Sequence, residues 1–542
     1  MPRIQRQPGA MDPDLRPASA HTAIKPKRSN DIAYAGLLAS ITAIVIAGLL
    51  VRLDSFPGLH GDEAWVGLRA LEQQARGMFT LRGMNGYTGS LFPEIVSQVF
   101  SVVPASVGSL RLAGAILNGL ALGLTALALW TRGAAALYFA LAMGSSLLFL
   151  FYSRVAWEVN ALQNLLLALV LLALPHLLDQ SRSSHRWLFL LLLAFSLGCW
   201  SHAIFVAAAL SFAAATLLVA LKWPGESSAR LLLIGQLNLL VQLVLCARHY
   251  VGDGAFVARA LPAMLAGLAL IALATHAYVR IEDRLLPHTM KALTNRRVAR
   301  FANIVLVGFV LLSLAASPIG DVSFFGTVSG VILLERVVSY LPGPIEMIAL
   351  HLRMALLLAL FAAVALRSFR AKPSEAEQLL LPLFCLWTIA YFPALRLSIA
   401  SVADRYYIIP QFLLFVSIAL AVDGLRANWK MPAVALLLAG FVHAQVTTFR
   451  EAFRGEDRPP FELFDYAGYT DTSRHFMRLD ALTNELKSRA TCRVQSSSFF
   501  IAQPMRFLMA VGQPCTGSSE VRVEYCAACL APVRGFDLQM QK

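Results

Sequence analysis

The chain has 542 residues, 57% of them hydrophobic and only 14% charged, with a mean hydropathy of +0.63. Soluble domains carry about 25% charged residues, so the composition excludes a soluble globular enzyme and indicates a polytopic membrane protein. The formal net charge of +14 does not imply nucleic acid. No basic domain with interleaved aromatics is present, and much of the charge lies in loops between apolar runs, where it retains them in the cytoplasm.

In chain order, residues 1–30 are rich in Pro, Arg and Lys and read as a disordered cytoplasmic N-terminus. The run from Ile32 to Val51 is long enough to span a bilayer and has no small-residue cleavage site, so it reads as a retained span. In "GLHGDEAWVGLRALEQQARG", Gly58–Gly77, the glycines break the chain and Asp62 is placed to cap the helix that follows. Leu68, Leu71, Ala75 and Met78 recur at helical spacing, which predicts an amphipathic helix lying in the membrane surface. Leu91 to Val103, holding Pro93, Glu94 and Gln98, reads as an interfacial or re-entrant helix. Further spans are predicted at 108–130, 134–150, 160–178, 187–201, 203–221, 230–247, 256–279, 301–317, 349–366, 378–395, 406–422 and 431–447, about thirteen in all within a transmembrane domain over 31–447.

Thirteen crossings from a cytoplasmic N-terminus put the basic loops at 131–133, 179–186, 222–230, 280–300, 367–377 and 423–430 inside. Three large segments then face the periplasm: a first loop over 52–107, a Gly-, Pro- and aromatic-rich loop over 318–348, and a C-terminal domain over 448–542. The last shows a helical pattern near 471–489 and strand-like pieces near 493–501 and 520–525, a small α/β unit on an all-α membrane protein. Cys199, Cys246 and Cys385 fall in apolar runs and read as packing residues. Cys492, Cys515, Cys526 and Cys529 cluster in the polar tail and suggest disulfides in an oxidising compartment. The alternative for Cys526 and Cys529, a zinc or redox pair, lacks a second pair or a neighbouring histidine.

Four constellations fall on the outer face. His60, Asp62 and Glu63 stand at one helix start; a cap explains one acid but not the cluster, and the three residue types also suit a divalent cation. In "FYSRVAWEVNAL" (Phe151–Leu162), Glu158 precedes a span and Arg154 lies one turn earlier, where a structural ion pair is the plain reading. In "ASVADRYYIIPQFLLF" (Ala400–Phe415), Asp404 and Arg405 precede Tyr406 and Tyr407. The tyrosines suit the interfacial belt, and the arginine suits either bidentate phosphate contact or snorkelling. In "GCWSHAIF" (Gly198–Phe205), His202 sits in a tight hairpin, either against a polar headgroup or as a satisfied buried histidine. A lipid phosphate needs cations and a hydroxyl nucleophile needs a carboxylate base. Displacing a phosphate from an anomeric carbon needs both.

Three motifs resemble those of GT-C-fold glycosyltransferases, in particular the bacterial relatives of dolichyl-phosphate-mannose–protein mannosyltransferases, including the lipid A aminoarabinose transferases. "GDEAWVG" (Gly61–Gly67) is similar to the family's Asp-Glu motif. "YSRVAWEVNALQNLLLALVLLAL" (Tyr152–Leu174) is similar to its Ser-Arg motif. "DRYYIIPQF" (Asp404–Phe412) is similar to its Arg-Tyr-x-x-Pro pattern with one extra residue. "YTGSLFPEIV" (Tyr87–Val96) is a weaker fourth. The resemblance covers roughly residues 30–450 and leaves the tail unmatched.

It implies a polyprenyl-phosphate sugar donor, a cell-envelope acceptor and inverting transfer outside the bacterial cytoplasmic membrane. Asp62 is then the general base, and Glu63 and Glu158 support it or orient the sugar. Arg405 and Arg154 hold the lipid phosphate, and His60, Tyr87, His202 and Tyr406 line the donor and acceptor. The aminoarabinose transferases carry a phosphate-binding lysine before a Pro-Pro pair, but here Thr88–Pro93 has none. The donor therefore differs, or Arg82, Arg154 or Arg405 takes that part. The Trp-Trp-Asp motif of the oligosaccharyltransferase branch is absent. The competing classes are a polyprenyl-lipid flippase, which predicts polar residues in the middles of spans, and a non-catalytic envelope assembly factor, which would tolerate loss of Asp62. Gln163, Asn164, Gln236, Asn238 and Gln242 are the thin midspan polar set, and no internal repeat supports a transporter of inverted halves.

Overall fold

The structure, a computed structural model, describes residues 28–76, 83–84, 87–178, 184–251, 260–295, 297, 356, 359, 362–363, 365–366, 376–398, 404–453, 476–477, 479–511, 517, 519–525 and 536–541. The predicted span 301–317, most of 349–366, the 318–348 loop, and Arg82, Cys515, Cys526 and Cys529 lie outside the described residues.

Helices dominate. In order they are α1 (Arg28–Leu50), α2 (Gly61–Arg76), α3 (Leu91–Val102), α4 (Val107–Leu129), α5 (Ala135–Gly144), α6 (Leu147–Tyr152), α7 (Glu158–Ala161), α8 (Gln163–Leu178), α9 (His185–Ser201), α10 (Ile204–Lys222), α11 (Glu226–Val251), α12 (Ala260–Leu293), α13 (Leu380–Ser398), α14 (Ile408–Asp423), α15 (Ala427–Ala452), α16 (Asp480–Ser488) and α17 (Phe499–Ala510). Among the described residues seven helices are long and apolar enough to cross a membrane. Four further predicted spans need two qualifications. The run 134–150 is split into α5 and α6, because Ser146 caps a new helix by accepting from the Phe149 amide at 3.1 Å. The segments at 187–201, 378–395 and 406–422 form α9, α13 and α14, whose apolar stretches are shorter than a full span.

The far end of the bundle, away from α2, brings two of the predicted basic loops together. Asp423 accepts from the Ala134 amide at 2.9 Å, so the 131–133 and 423–430 loops share an end. The predicted basic loop over 280–300 is largely helical instead: α12 runs on to Leu293. Its buried Glu282 pairs with Arg230 of α11 at 2.7 Å, and this neutralisation lets a charged stretch stay in a packed helix.

At the other end the chain builds its sheets. β1 (Leu59–His60) pairs antiparallel with β2 (Phe476–Met477), His60 opposite Phe476. β3 (Thr491–Gln495) pairs parallel with β4 (Ser519–Tyr525), which pairs antiparallel with β5 (Phe536–Gln541). The predicted strand at 493–501 thus stops at Gln495. Ser498 is extended and α17 starts at Phe499, because "FFIAQPMRFLMA" repeats its apolar residues at helical spacing. On the sheet's polar face, burial raises the Glu524 carboxyl, but the hydroxyl and amide of Ser497 and the Arg522 guanidinium outweigh it and hold it below the usual range. Cys492 is disulfide-bonded.

α17 has two buried faces. Ile501 and Met505 join Leu482, Leu486, Val494, Val521 and Val523 in the core of the tail. Phe507 and Val511 belong to the main core of the helical bundle. The second face meets α2, whose Leu68 and Leu71, the stripe expected at the membrane surface, are half-buried against the main core. Its Ala64, Gly67 and Ala70 face is buried, and a Cβ on Gly67 would stand 2.4 Å from the Phe507 ring.

Candidate active site

The Asp-Glu turn is organised by residues on either side of Asp62. His60 precedes α2, and its Nδ1 accepts the Asp62 amide at 3.0 Å. Glu63 Oε2 accepts the His60 amide in return at 3.4 Å. This is a reciprocal cap of the kind usually built from Ser or Thr and Glu, here with histidine as the capping side chain. The expectation that Asp62 caps the helix is corrected: Asp62 sits inside the first turn, and His60 and Glu63 make the cap. An amide hydrogen needs a lone pair, so Nδ1 carries no proton and the ring is the Nε2–H tautomer.

Glu63 is fully buried. Arg111, near the start of α4, grips it bidentately, Nε to Oε1 at 2.6 Å and Nη2 to Oε2 at 2.9 Å. The rest of that guanidinium donates to the carbonyls of Leu53 (3.1 Å), Pro57 (2.8 Å) and Gly58 (3.0 Å), so all five of its N–H groups are used. Glu63 Oε1 also accepts the Ala156 amide at 3.0 Å, which binds the first loop to the segment before Glu158. The two neighbouring acids thus differ: the Glu63 side chain is 0% exposed and engaged on all sides, whereas Asp62 is 13% exposed.

The second motif is held close by. The His60 ring lies 4.1 Å, centroid to centroid, from Trp157, the residue before Glu158. Glu158 opens α7 and is buried; α7 packs against α3, α4, α8 and the 3-10 turn Asp404–Tyr407. Arg154 is buried outside any helix, its Nη2 donating to the Val51 carbonyl and its guanidinium stacked 4.7 Å from the Phe56 ring. Asn118, at mid-helix in α4, donates to the carbonyls of Ser153 (3.2 Å) and Asn160 (3.1 Å), and Asn164 donates to its Oδ1 at 2.8 Å. The midspan polar residues Asn118 and Asn164 therefore pin the Glu158 segment to the bundle.

A third group forms beside it. Thr88 bridges His202, Gly89 donates to the Ser201 carbonyl at 3.0 Å, and Ala203 donates to the Tyr87 carbonyl at 3.0 Å. The His202 ring stands 5.4 Å from both Tyr87 and Tyr406. Three expected donor or acceptor contacts are thus brought together, with His202 buried and Tyr87 42% exposed. Of Arg405 only the backbone is described, in the turn beside α7.

Among the described residues no three of His, Cys, Asp and Glu converge to hold a metal ion. His60, Asp62 and Glu63 do not fit one, because Arg111 already occupies both Glu63 oxygens. Sequence reading missed Arg111, Asn118, Trp157 and Phe500. Arg111 and Asn118 had a signal, since a charged or amide side chain inside an apolar run is a flag in itself. Trp157 and Phe500 had none.

The helical bundle has the GT-C fold. The oligosaccharyltransferase of Archaeoglobus fulgidus has this architecture. Its complex with Zn and sulfate superposes with a TM-score of 0.50 at 15% identity over 84% of this chain and 55% of that chain. Its apo form matches with a TM-score of 0.50 at 14% identity over 90% and 64%. ArnT from Cupriavidus metallidurans bound to undecaprenyl phosphate gives a TM-score of 0.49 at 12% identity over 92% and 94%. The chain spans less than two thirds of the oligosaccharyltransferase chains. No family model matches the sequence, and no curated protein matches it.

Proposed function

We propose that this protein is a glycosyltransferase that moves a sugar from a polyprenyl-phosphate donor to a cell-envelope acceptor, a glycolipid, polysaccharide or protein, at the periplasmic face of a bacterial inner membrane. One observation carries the reading. Of two adjacent acids at the membrane-end turn, Glu63 is consumed by Arg111 and the cap, while Asp62 reaches the surface. A carboxylate kept in place but accessible suits a general base. Asp62 takes the proton from the acceptor hydroxyl. The oxygen forms a bond to the anomeric carbon as the carbon–oxygen bond to the phosphate breaks, and polyprenyl phosphate leaves with the electron pair. One in-line displacement inverts the anomeric centre.

Glu158, buried between the turn of Asp62 and the turn of Arg405, orients the sugar. Arg405 is the foremost phosphate ligand, with Arg82 as its helper. Arg154 stands behind them as a further phosphate ligand and also orders the loop, where its Nη2 donates to the Val51 carbonyl and its guanidinium lies over the Phe56 ring. Tyr87, His202 and Tyr406 form the aromatic wall. Glu63 holds the turn. The test is transfer from labelled undecaprenyl-phosphate sugars to envelope acceptors by wild type and Asp62→Asn. General-base loss predicts a fall of about 10²- to 10⁴-fold in kcat with the protein still folded. Equal labelling by both would remove Asp62 from the chemistry. Binding of the prenyl lipid with no use of any donor would favour a flippase.

A further inference from the structure

The tail reaches the Asp-Glu turn directly. β2 pairs with β1, putting Phe476 opposite His60. At the start of α17, the Phe500 ring lies 5.1 Å from the His60 ring on an edge-to-face approach, at 60°. Trp157 stands 4.1 Å from the same ring. Gly61 has room for no side chain, since a Cβ there would lie 2.8 Å from Phe499 and 3.0 Å from Phe500. His60 is thus fully buried, gripped by one aromatic ring from the membrane domain and one from the tail.

We infer that His60 is a positioning residue for Asp62, and that the C-terminal domain sets it through Phe500. The imidazole does not touch substrate. Its Nδ1 accepts the Asp62 amide, and this bond fixes the first turn of α2 and with it the direction of the Asp62 carboxylate. Phe500 and Trp157 fix the ring plane, and β2 fixes the backbone of His60. The tail then governs turnover by holding the base rather than by binding the donor. This rests on the assignment of Asp62 as base.

The side-chain oxygen of asparagine reaches the place of Nδ1 and accepts the same amide; leucine fills the space and accepts nothing. The full-length protein would be assayed with radiolabelled undecaprenyl-phosphate sugars and envelope membranes as acceptor, for His60→Asn, His60→Leu, Phe500→Tyr, Phe500→Ala and the His60→Leu/Phe500→Ala double variant. A displaced base costs on the order of 10²-fold in rate, so His60→Leu should lose about that in kcat with the donor KM unchanged. His60→Asn and Phe500→Tyr should stay within severalfold of wild type. Phe500→Ala should fall in the same direction, and the double variant should lose no more than His60→Leu, because both act through one contact. Wild-type kcat in His60→Leu, an equal fall in His60→Asn, or additive losses in the double variant would overturn the inference. Asp62→Asn in the same assay separates the two levels. If it is dead while His60→Leu is active, the base stands and the positioning role falls. If it is active, the base assignment fails and the inference with it.

Discussion

Arg111 shows how one residue divides the labour of its neighbours. Its five N–H groups close on Glu63 and three carbonyls of the first loop, all buried. Breaking a buried pair by removing one partner leaves an uncompensated charge and costs about 3–5 kcal/mol. Arg111→Leu should therefore lower the stability of the detergent-solubilised protein by about that amount in thermal unfolding. Adding Glu63→Leu should recover part of the loss, since no lone charge then remains. An Arg111→Leu protein as stable as wild type would contradict the bracing role. The sequence displayed both acids side by side, and a stretch of charge at a helix start was legible. Which of the two is accessible was not legible, because the deciding arginine stands 48 residues from Glu63.

At the scale of elements, the contact between α2 and α17 depends on small residues. Gly67 meets Phe507 so closely that a Cβ would lie 2.4 Å from the ring. In an exposed helix Gly→Ala gains up to about 1 kcal/mol. Here the extra methyl must push a buried phenyl aside, and overpacking costs about 1–3 kcal/mol. Gly67→Ala should therefore destabilise the protein, and Gly67→Ala with Phe507→Leu should restore much of it; a stabilised single variant would mean that the two helices are not seated this way. α2 itself was legible from periodicity, and the described spans from apolar length. The face that α2 buries was not, because Leu68 and Leu71 suggested a lipid surface. α17 was not legible: the strand-like pattern near 493–501 overlaps only its first turn.

Over the whole molecule, tail and bundle share one packed body. α17 contributes Ile501 and Met505 to one core and Phe507 to the other, joined there by Val511 just after it. A chain ended after residue 453 exposes the α2 face that α17 covers and removes β2 from β1. It should melt at a lower temperature and lose transfer to its own acceptor, measured by thermal unfolding of the purified membrane domain and by labelling. A truncated chain with unchanged melting and full transfer would show the tail to be a bystander.

The sequence by itself determined the membrane class, most of the span positions and the motifs that carry the GT-C resemblance. Each of these is local: apolar length answers to bilayer thickness, helical periodicity to 3.6 residues per turn, and acids at a helix start to the backbone dipole. Tertiary structure decided which residues in those motifs are spent on structure. Arg111 takes Glu63, Asn118 pins the Glu158 segment, His202 gathers Tyr87 and Tyr406, and Phe500 closes on His60. Those pairings join positions far apart in the chain, and only the packing of one element on another brings their donors, acceptors and rings within reach.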